Sequence, residues 1–331
     1  MTREAMTGVP PSSDVELDLD HVVTTGSRLA AAINEVIEGK PDVVRTTITV
    51  LLAEGHLLVE DVPGVGKTML AKTLARSIDA SVRRVQFTPD LLPSDITGVS
   101  IFNQDERRFE FRAGAVFANV VVGDEINRAS PKAQSALLEA MEERQVTVDG
   151  RTYPLPHPFI ILATQNPVEM EGTYPLPEAQ RDRFMARVSV GYPEASSEIA
   201  MLDHHAARSP LESLRPVTDA DGVARMVATV QRVHASEPVR RYIVDLAAAT
   251  RRHPQIRLGA SPRAGLHLLR AARARAALNR RGHVLPDDVQ AVAPVVLAHR
   301  LLVTSEAQMA RQSPTALVSE ILQRTPVPGS R

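Results

Sequence analysis

The sequence predicts an α/β fold, with a doubly wound parallel sheet flanked by helices in its first part and a helical domain behind it. Short apolar runs alternate with helical stretches along this first part, which is typical of parallel strands joined by crossover helices. A glycine-rich turn links the first strand to the following helix, as in many sheets of this kind. After residues 188–193 the apolar runs stop, and Ala-, Leu- and Arg-rich stretches with helical spacing follow.

Three parts follow from this change of pattern. Residues 1–20 contain a Pro-Pro-Ser-Ser run, acidic residues and little periodic apolar content, which predicts a mobile tail. Residues 21–194 are expected to form the α/β core, and residues 195–331 the helical domain.

The elements follow one another in a regular order. Apolar residues at helical spacing predict core helices at 21–39, 41–53, 67–78 and 131–143. Short apolar runs predict buried parallel strands at 56–61, 120–122 and 159–163. Two hairpins are predicted as insertions, at 101–111 and 145–153. Helices of the second domain are predicted near 195–206, 218–234, 238–251, 262–279 and 286–302.

The composition excludes several classes of protein. The 38 basic and 39 acidic residues give a net charge of −1, so no overall charge attracts nucleic acid or anionic lipid. The absence of cysteine excludes disulfides, thiolate metal sites and cysteine nucleophiles. No apolar run reaches the roughly 18 residues of a membrane span, and the N-terminus lacks a secretory apolar segment. We therefore expect a soluble cytoplasmic protein without direct membrane insertion.

The turn after the first strand has the composition of a phosphate-binding loop. Its residues are Asp61, Val62, Pro63, Gly64, Val65, Gly66, Lys67 and Thr68. Backbone N–H groups of such a loop point at a phosphate chain, and glycine lets the backbone approach closely. Lys67 is expected to reach the terminal phosphates, and the Thr68 hydroxyl to bind Mg²⁺. Asp61 stands where the G-x-x-x-x-G-K-[ST] pattern has its first glycine.

Two further strands end in polar residues that suit phosphate chemistry. The strand at 120–122 leads to Asp124, expected to hold Mg²⁺ through water, and to Glu125, expected to orient and polarise an attacking water. Asn166 follows the strand at 159–163 and is expected to hold the same water, although an Asn-Pro turn is the alternative interpretation. Ligands of open parallel sheets bind beyond the carboxyl ends of the strands, which favours the water-holding role of Asn166 over a simple turn.

Two arginines have no local explanation. Arg183 cannot easily face the phosphate site of its own chain, and in a ring of subunits it would reach a neighbour's terminal phosphate as an arginine finger. Arg181, two residues earlier, is the alternative finger. Arg263 opens a helix of the second domain and is expected to swing onto the phosphates when that domain closes.

These motifs resemble those of AAA+ ATPases, and within them the MoxR family, from about residue 39 to residue 302. The resemblance rests on the segments 60–68, 86–98, 123–129, 135–147, 163–167 and 172–180. It implies a P-loop NTPase core with a C-terminal all-helical lid and, as cofactors, ATP and Mg²⁺. Lys67 and Thr68 correspond to Walker A, and Asp124 and Glu125 to Walker B.

The resemblance also implies roles for residues outside these two motifs. Asn166 is similar to sensor 1, Arg183 to the arginine finger, Arg263 to the arginine of sensor 2, and the Gly39-Lys40 region to the segment that contacts the base. The family usually has Leu-Asp-Arg-Phe at the finger, whereas this chain has Arg181 before the aspartate. The replacement of the first loop glycine by Asp61 is similar to what the family tolerates.

Members of the MoxR family are generally ring-forming, often hexameric, and act like chaperones. The resemblance therefore implies a homo-oligomeric, hexameric ring that uses ATP hydrolysis to mature, assemble or load metal into a protein client. It also implies a partner with a von Willebrand factor A domain. The two predicted hairpins are candidate contacts with the client or with a neighbouring subunit.

Three alternative interpretations remain at this point. A motor acting on nucleic acid would need a local basic face, for which Arg273, Arg275 and the Arg280-Arg281 pair are the candidates, although a solvated face is the simpler interpretation. A nucleotide-binding scaffold with little turnover would not need Glu125. His204 and His205, adjacent in a predicted helix, point in different directions and are poorly placed to bind a metal together.

Overall fold

The computed structural model describes residues 13–61, 66–166, 174, 176–192 and 210–328. Its main sheet has five strands, β1 (Leu57–Glu60), β2 (Val82–Gln86), β5 (Val120–Asp124), β8 (Ile160–Gln165) and β9 (Ala186–Val188). All are parallel, in the order β2-β5-β8-β1-β9. Two antiparallel hairpins accompany the sheet, β3 (Gly98–Asn103) with β4 (Arg108–Ala113), and β6 (Gln145–Val148) with β7 (Arg151–Pro154).

Helices surround this sheet and make up most of the C-terminal part. The first part contains α1 (Ser13–Asn34), α2 (Pro41–Leu52), α3 (Lys67–Ser77), α4 (Pro93–Thr97), α5 (Pro131–Glu143) and α6 (Glu178–Arg181). The C-terminal part contains α7 (Pro210–Ser213), α8 (Ala220–Arg232), α9 (Glu237–Arg252), α10 (Pro262–Leu278), α11 (Pro286–Leu297), α12 (Ser305–Met309) and α13 (Pro314–Arg324). The predicted fold class is confirmed, and so are the two hairpins.

The core residues alternate between the two faces of the sheet, as the period of a strand requires. Leu57, Val59 and Leu162 pack into one apolar cluster, which continues through α1–α3 into the C-terminal helices. Leu58 and Ile161 belong to the other cluster, which lies under α5. Both faces are therefore covered, and this explains why these strands are uniformly apolar in sequence.

Helix α1 corrects the predicted tail. It begins at Ser13, within the segment expected to be mobile, and Leu19 is buried in the same cluster as Val22. Two acidic residues of this segment have partners in the C-terminal part. Asp18 pairs with Arg232 at 3.4 Å, and Asp20 with Arg280 at 2.7 Å. The few apolar residues of this segment gave no clear helical period in the sequence. The helix is stabilised instead by packing and ion pairs with distant parts of the chain.

Some elements gave no clear sequence signal. Strand β2 lies at the edge of the sheet, and Val85 is its one buried residue, so it lacks an apolar run. A short antiparallel pair, β10 (Ile256–Leu258) with β11 (Leu302–Val303), adds strand structure to the helical C-terminal part. The predicted division at residue 194, the helix at 195–206 and the His204-His205 pair fall within 193–209, outside the described residues.

The candidate basic face on α10 is occupied by carboxylates. Arg281 forms a two-pronged ion pair with buried Asp288 at 2.5 and 2.6 Å, and Arg275 lies 3.7 Å from the same carboxylate. The hydrogen bonds that Arg281 donates to Asp288 raise the pKa of Arg281. Arg280 is paired with Asp20 as well, so three of the four candidate arginines, all except Arg273, lie against carboxylates. Among the described helices none is long and apolar enough to cross a membrane.

A buried arginine joins the C-terminal part to the core. The Arg300 side chain is 2% exposed and donates from Nε to Asp182 Oδ1 at 2.9 Å. Its Nη2 donates to the carbonyl of Phe184 at 2.6 Å, and its Nη1 to the carbonyl of Met185 at 3.2 Å. The segment between α6 and β9 is therefore held by one guanidinium from the other part of the chain.

Replacing this guanidinium is expected to destabilise the protein strongly. Arg300→Ala removes the buried ion pair of Asp182 and one donor from each of two buried carbonyls, and we expect the free energy of unfolding to fall by about 3 kcal/mol or more. Urea unfolding followed by circular dichroism measures this change. Arg324→Ala, which removes a 74% exposed side chain from an ion pair, is the control and should change stability by less than about 0.5 kcal/mol. Equal losses in the two variants would contradict this account.

Candidate active site

The predicted phosphate-site residues meet at the carboxyl edge of the sheet. Asp61 directly follows β1, Asp124 ends β5, and Asn166 directly follows β8. These three strands are parallel neighbours, and the backbone N–H of Asp61 donates to the carbonyl of Gln165 at 3.2 Å. Lys67 and Thr68 open α3 at the same edge. Of the predicted loop, Val62, Pro63, Gly64 and Val65 lie outside the described residues.

Asp124 connects the loop helix to two strands. Its carboxylate accepts from Thr68 Oγ1 at 3.2 Å and from Thr164 Oγ1 at 3.3 Å. Arg84 Nε lies 2.6 Å from Asp124 Oδ2, and the Asp124 side chain is only 7% exposed. A buried carboxylate is costly unless it is paired, and Arg84 meets this need from the edge strand. The neighbouring carboxylate and hydroxyl oxygens are the donors that Mg²⁺ prefers.

Glu125 is held in a defined position beside Asp124. Its backbone has φ = 58°, in the left-handed region, and its N–H donates to Thr164 Oγ1 at 3.0 Å. Its Oε2 accepts from Gln86 Nε2 at 2.9 Å and lies 3.2 Å from Arg128 Nε. Sequence reasoning missed Gln86, Arg84 and Thr164. Their positions depend on the pairing of β2, β5 and β8, which no local pattern reveals.

Asp61 has a structural role that differs from that of the glycine it replaces. Its carboxylate, buried with the rest of the residue, accepts from Ser189 Oγ at 2.9 Å and from the backbone N–H of Gly191. It thereby fixes the loop to the segment after β9. Gly66 has φ = 86°, which favours glycine. Lys67 Nζ donates to the carbonyl of Asp61 at 2.7 Å, so the lysine closes the loop on itself.

Arg183 and Arg263 lie at the opposite edge of the sheet. Arg183 Nε lies 2.9 Å from Glu142 Oε2, and Arg263 pairs with the other oxygen of the same carboxylate. Glu142 is at the end of α5, where the carbonyl of Met141 contacts His56, the residue before β1. The four residues of β1 separate this edge from the phosphate loop, a distance of about 13 Å at 3.3 Å per residue.

In this structure Arg263 lies away from the phosphate loop of its own chain, and its swing onto the phosphates stays a prediction. Arg263 and Arg183 share one carboxylate at the amino edge, while Lys67 opens a helix at the carboxyl edge. Arg181 differs from Arg183, because its Nε is buried and has no hydrogen-bond partner among the residues that the structure describes. Arg183 is therefore the better placed of the two candidate fingers.

A basic cavity surrounds these two arginines. Its volume is about 210 Å³, and its lining includes Arg144, Arg183, Arg263 and Arg270. His56 and His267 also line it. Burial lowers the pKa of His56 to about 4, and burial together with the charge of Arg300 lowers the pKa of His267 to about 2. Both imidazoles are neutral at physiological pH, so the positive charge comes from the guanidiniums.

The sheet order, the lysine and threonine that open α3, and the carboxylates that end β5 define a P-loop ATPase of the AAA+ class. Residues 56–186 match the model of the ATPase family associated with various cellular activities (AAA), and residues 248–321 match the AAA lid domain. No group of three or more histidine and acidic residues able to hold a metal occurs in the described part of the chain.

Similarity to known proteins identifies the family of this chain within the AAA+ class. The chain is 40% identical to Chaperone MoxR1 of Mycobacterium tuberculosis, over 92% of this chain and 83% of that protein. It is 50% identical to the uncharacterized protein YeaC of Bacillus subtilis, over 90% of this chain and 93% of that protein. The crystal structure of a Cytophaga hutchinsonii protein assigned as an ATPase superposes with a TM-score of 0.88 and 37% identity, covering 95% of this chain and 98% of that one. The chain belongs to the MoxR family of AAA+ ATPases.

The neutral histidine in the cavity makes stability depend on pH. Unfolding restores the ordinary pKa of His267, 6.5, so below that pH the unfolded chain binds a proton that the folded chain does not. Stability must therefore fall as the pH falls from 7 to 5, by up to about 1.4 kcal/mol per pH unit for each such group. His267→Gln should reduce this slope in urea titrations at pH 5, 6 and 7.

The control for this slope is Val244→Gln, which changes a residue that is 58% exposed and carries no titratable group. Its slope should match that of the wild type. A wild-type slope that persists unchanged in His267→Gln would show that His267 is already protonated in the folded protein.

Proposed function

We propose that this chain is an ATP-hydrolysing, chaperone-like remodelling factor that works as a ring, with each ATP held by one subunit and its hydrolysis completed by the next. The observation that carries the proposal is the separation of Lys67 and Glu125 from Arg183 and Arg263 by the length of the sheet. Phosphate binding and charge neutralisation are both needed for hydrolysis. Subunits packed edge to edge would bring the two sets together.

The oxygen and nitrogen ligands at the carboxyl edge of the sheet fit Mg²⁺-ATP. Thr68 Oγ1 and Asp124 Oδ2, 3.2 Å apart, would hold the metal directly and through water, respectively. Lys67 would exchange the carbonyl of Asp61 for the terminal phosphates, and the backbone of the loop would surround the phosphate chain. Bound Mg²⁺ would neutralise part of the phosphate charge during hydrolysis.

In this proposal Glu125 orients and polarises the attacking water, and Asn166 holds the same water from β8. The Glu125 carboxylate already accepts a hydrogen bond from Gln86 and an ion pair from Arg128. Both contacts engage the Oε2 oxygen and compete there with the attacking water for hydrogen bonds. Hydrolysis therefore requires the carboxylate to move away from these two donors.

Arg183 and Arg263 act on the nucleotide of the neighbouring subunit. The hydrogen bond from Arg183 lowers the pKa of Glu142, whose carboxylate occupies the place that phosphate oxygens would take. Guanidiniums bind carboxylate and phosphate with the same paired geometry. If Arg263 left Glu142 and bound the terminal phosphate, nucleotide binding would be coupled to the helical C-terminal part, because Arg263 belongs to α10.

The client-directed part of the proposal rests on relatives. The mycobacterial relative is named a chaperone, which supports action on a protein client. We extend the family resemblance to a hexameric ring in the cytoplasm, to a partner with a von Willebrand factor A domain, and to maturation, assembly or metal insertion as outcomes for the client. The ion pairs of Arg275 and Arg281 with Asp288 speak against a motor on nucleic acid.

Replacing Glu125 distinguishes the hypothesis of an ATPase from that of a nucleotide-binding scaffold with little turnover. Glu125→Gln keeps the shape of the side chain but removes its capacity to polarise water, so kcat should fall by about a hundredfold or more. Lys67→Ala should be equally inactive and should bind ATP poorly. Steady-state phosphate release across a range of protein concentrations measures both variants. A wild type no faster than Glu125→Gln at every concentration would favour the scaffold.

A mixing experiment tests whether the two halves of the site come from different subunits. Lys67→Ala lacks the phosphate half, and Arg183→Ala/Arg263→Ala lacks the arginine half, so each should be inactive alone. Random mixed rings restore intact interfaces with a frequency of about one quarter, and the mixture should regain roughly that share of wild-type ATPase activity. Subunits that exchange without any gain of activity would contradict completion of the site by a neighbour.

A further inference from the structure

The β3–β4 hairpin exposes an aromatic pair, which we call the aromatic tip and which consists of Phe102 and Phe109. The two residues lie opposite each other, with ring centroids 5.3 Å apart in an edge-to-face arrangement. Phe102 is 49% exposed and Phe109 is 70% exposed. Three of the seven phenylalanines in the whole sequence, Phe102, Phe109 and Phe111, lie on this one small hairpin.

The opposite face of the same hairpin is apolar and exposed as well. Val99 and Ile101 point away from the aromatic tip and are 42% and 43% exposed. A two-stranded ribbon is only marginally stable by itself, and exposed apolar patches usually mark binding surfaces. The outer part of the hairpin therefore has the properties of a surface that another chain covers.

The charges of the hairpin favour a polypeptide over a nucleic acid. Residues 98–113 contain three acidic and three basic residues. Arg108, beside the aromatic tip, pairs with Glu106 and, at 3.2 Å, with Glu110. Proteins that stack nucleic-acid bases on aromatic rings add a positively charged groove that follows the phosphates. Because this hairpin is balanced in charge, its chemistry suits an apolar, extended segment of a protein.

The hairpin is also connected to the candidate active site. At its base Phe111 stacks on Tyr153 of β7, with ring centroids 3.9 Å apart, so the two hairpins contact each other. In the chain, the insertion that contains β3 and β4 begins directly after Gln86 and returns into β5, which ends at Asp124. Gln86 is the residue that donates to Glu125. The insertion that carries the hairpin is therefore joined, at its two ends, to both strands that position the Glu125 carboxylate.

We propose that the aromatic tip binds an extended apolar segment of a client polypeptide, and that this binding stimulates hydrolysis by shifting Gln86 relative to Glu125. The proposal rests on the proposed ATPase and chaperone-like function and identifies the surface that this function uses. Phe102 and Phe109 supply the binding surface, and Phe111 with Tyr153 supplies the rigid base of the hairpin.

The test uses the full-length assembled protein and fluorescein-labelled carboxymethylated α-lactalbumin, a permanently unfolded polypeptide, as the probe. Phe102→Ser/Phe109→Ser should weaken its binding, measured by fluorescence anisotropy, by about tenfold or more. The same variant should keep its basal ATPase activity and lose the stimulation by the probe. Val244→Ser/Met309→Ser, which removes residues 58% and 78% exposed on the C-terminal part, is the matched control and should behave like the wild type.

Three results would overturn the proposal. The first is unchanged probe binding in the aromatic-tip variant. The second is loss of the assembly in sedimentation, which would identify the hairpin as a contact between copies of this chain. The third is that a thirty-nucleotide oligothymidylate binds more tightly than the polypeptide and in a strongly salt-dependent way.

Lys67→Ala separates this proposal from the proposed function, because it should bind the probe normally without hydrolysing ATP. If wild-type hydrolysis is no faster than that of Lys67→Ala, the ATPase proposal fails, whereas probe binding still tests the hairpin.

Discussion

The five strands of the sheet run in one direction, and this separates the charged residues of the candidate active site into two sets, one at each edge of the sheet. Side chains that follow the strands, such as Asp124 and Asn166, collect at the carboxyl edge. Arg183 precedes β9 and lies at the amino edge, where Arg263 joins it on Glu142. Buried parallel strands cannot bend enough to bring these edges together. The geometry of one subunit therefore leaves each set incomplete.

The contacts at the amino edge explain how the lid takes part in this arrangement. Ser261 and Arg300, both from the C-terminal part, bind the Asp182 carboxylate, Ser261 Oγ donating at 2.8 Å and Arg300 Nε at 2.9 Å. Asp182 is the residue before Arg183. The position of the candidate finger thus depends on the lid through a buried ion pair, and Glu142 links Arg183 to Arg263 across the same junction. A movement of the lid would shift both guanidiniums together.

Much of the fold, and half of the site, could be predicted from local sequence. Strands β1, β5 and β8 are buried on both faces and therefore apolar up to their polar carboxyl ends, and the loop lysine with its helix has a fixed spacing. Strand β2 is exposed at the edge and carries Arg84 and Gln86, so neither the strand nor its contacts with Asp124 and Glu125 had a local signal. The direction of Arg263 depends on Glu142, 121 positions away in the chain, and no spacing rule contains that information.

We propose that the arginines of one subunit complete the phosphate site of the next. An electron cryo-microscopy structure of the assembled protein with Mg²⁺ and a slowly hydrolysed ATP analogue would show whether they do. We expect the guanidiniums of Arg183 and Arg263 to leave Glu142 and to lie about 3 Å from the terminal phosphate held by Lys67 of the neighbouring subunit. The proposal fails if both arginines stay on Glu142, or contact the nucleotide of their own chain, in an assembly whose sites are filled.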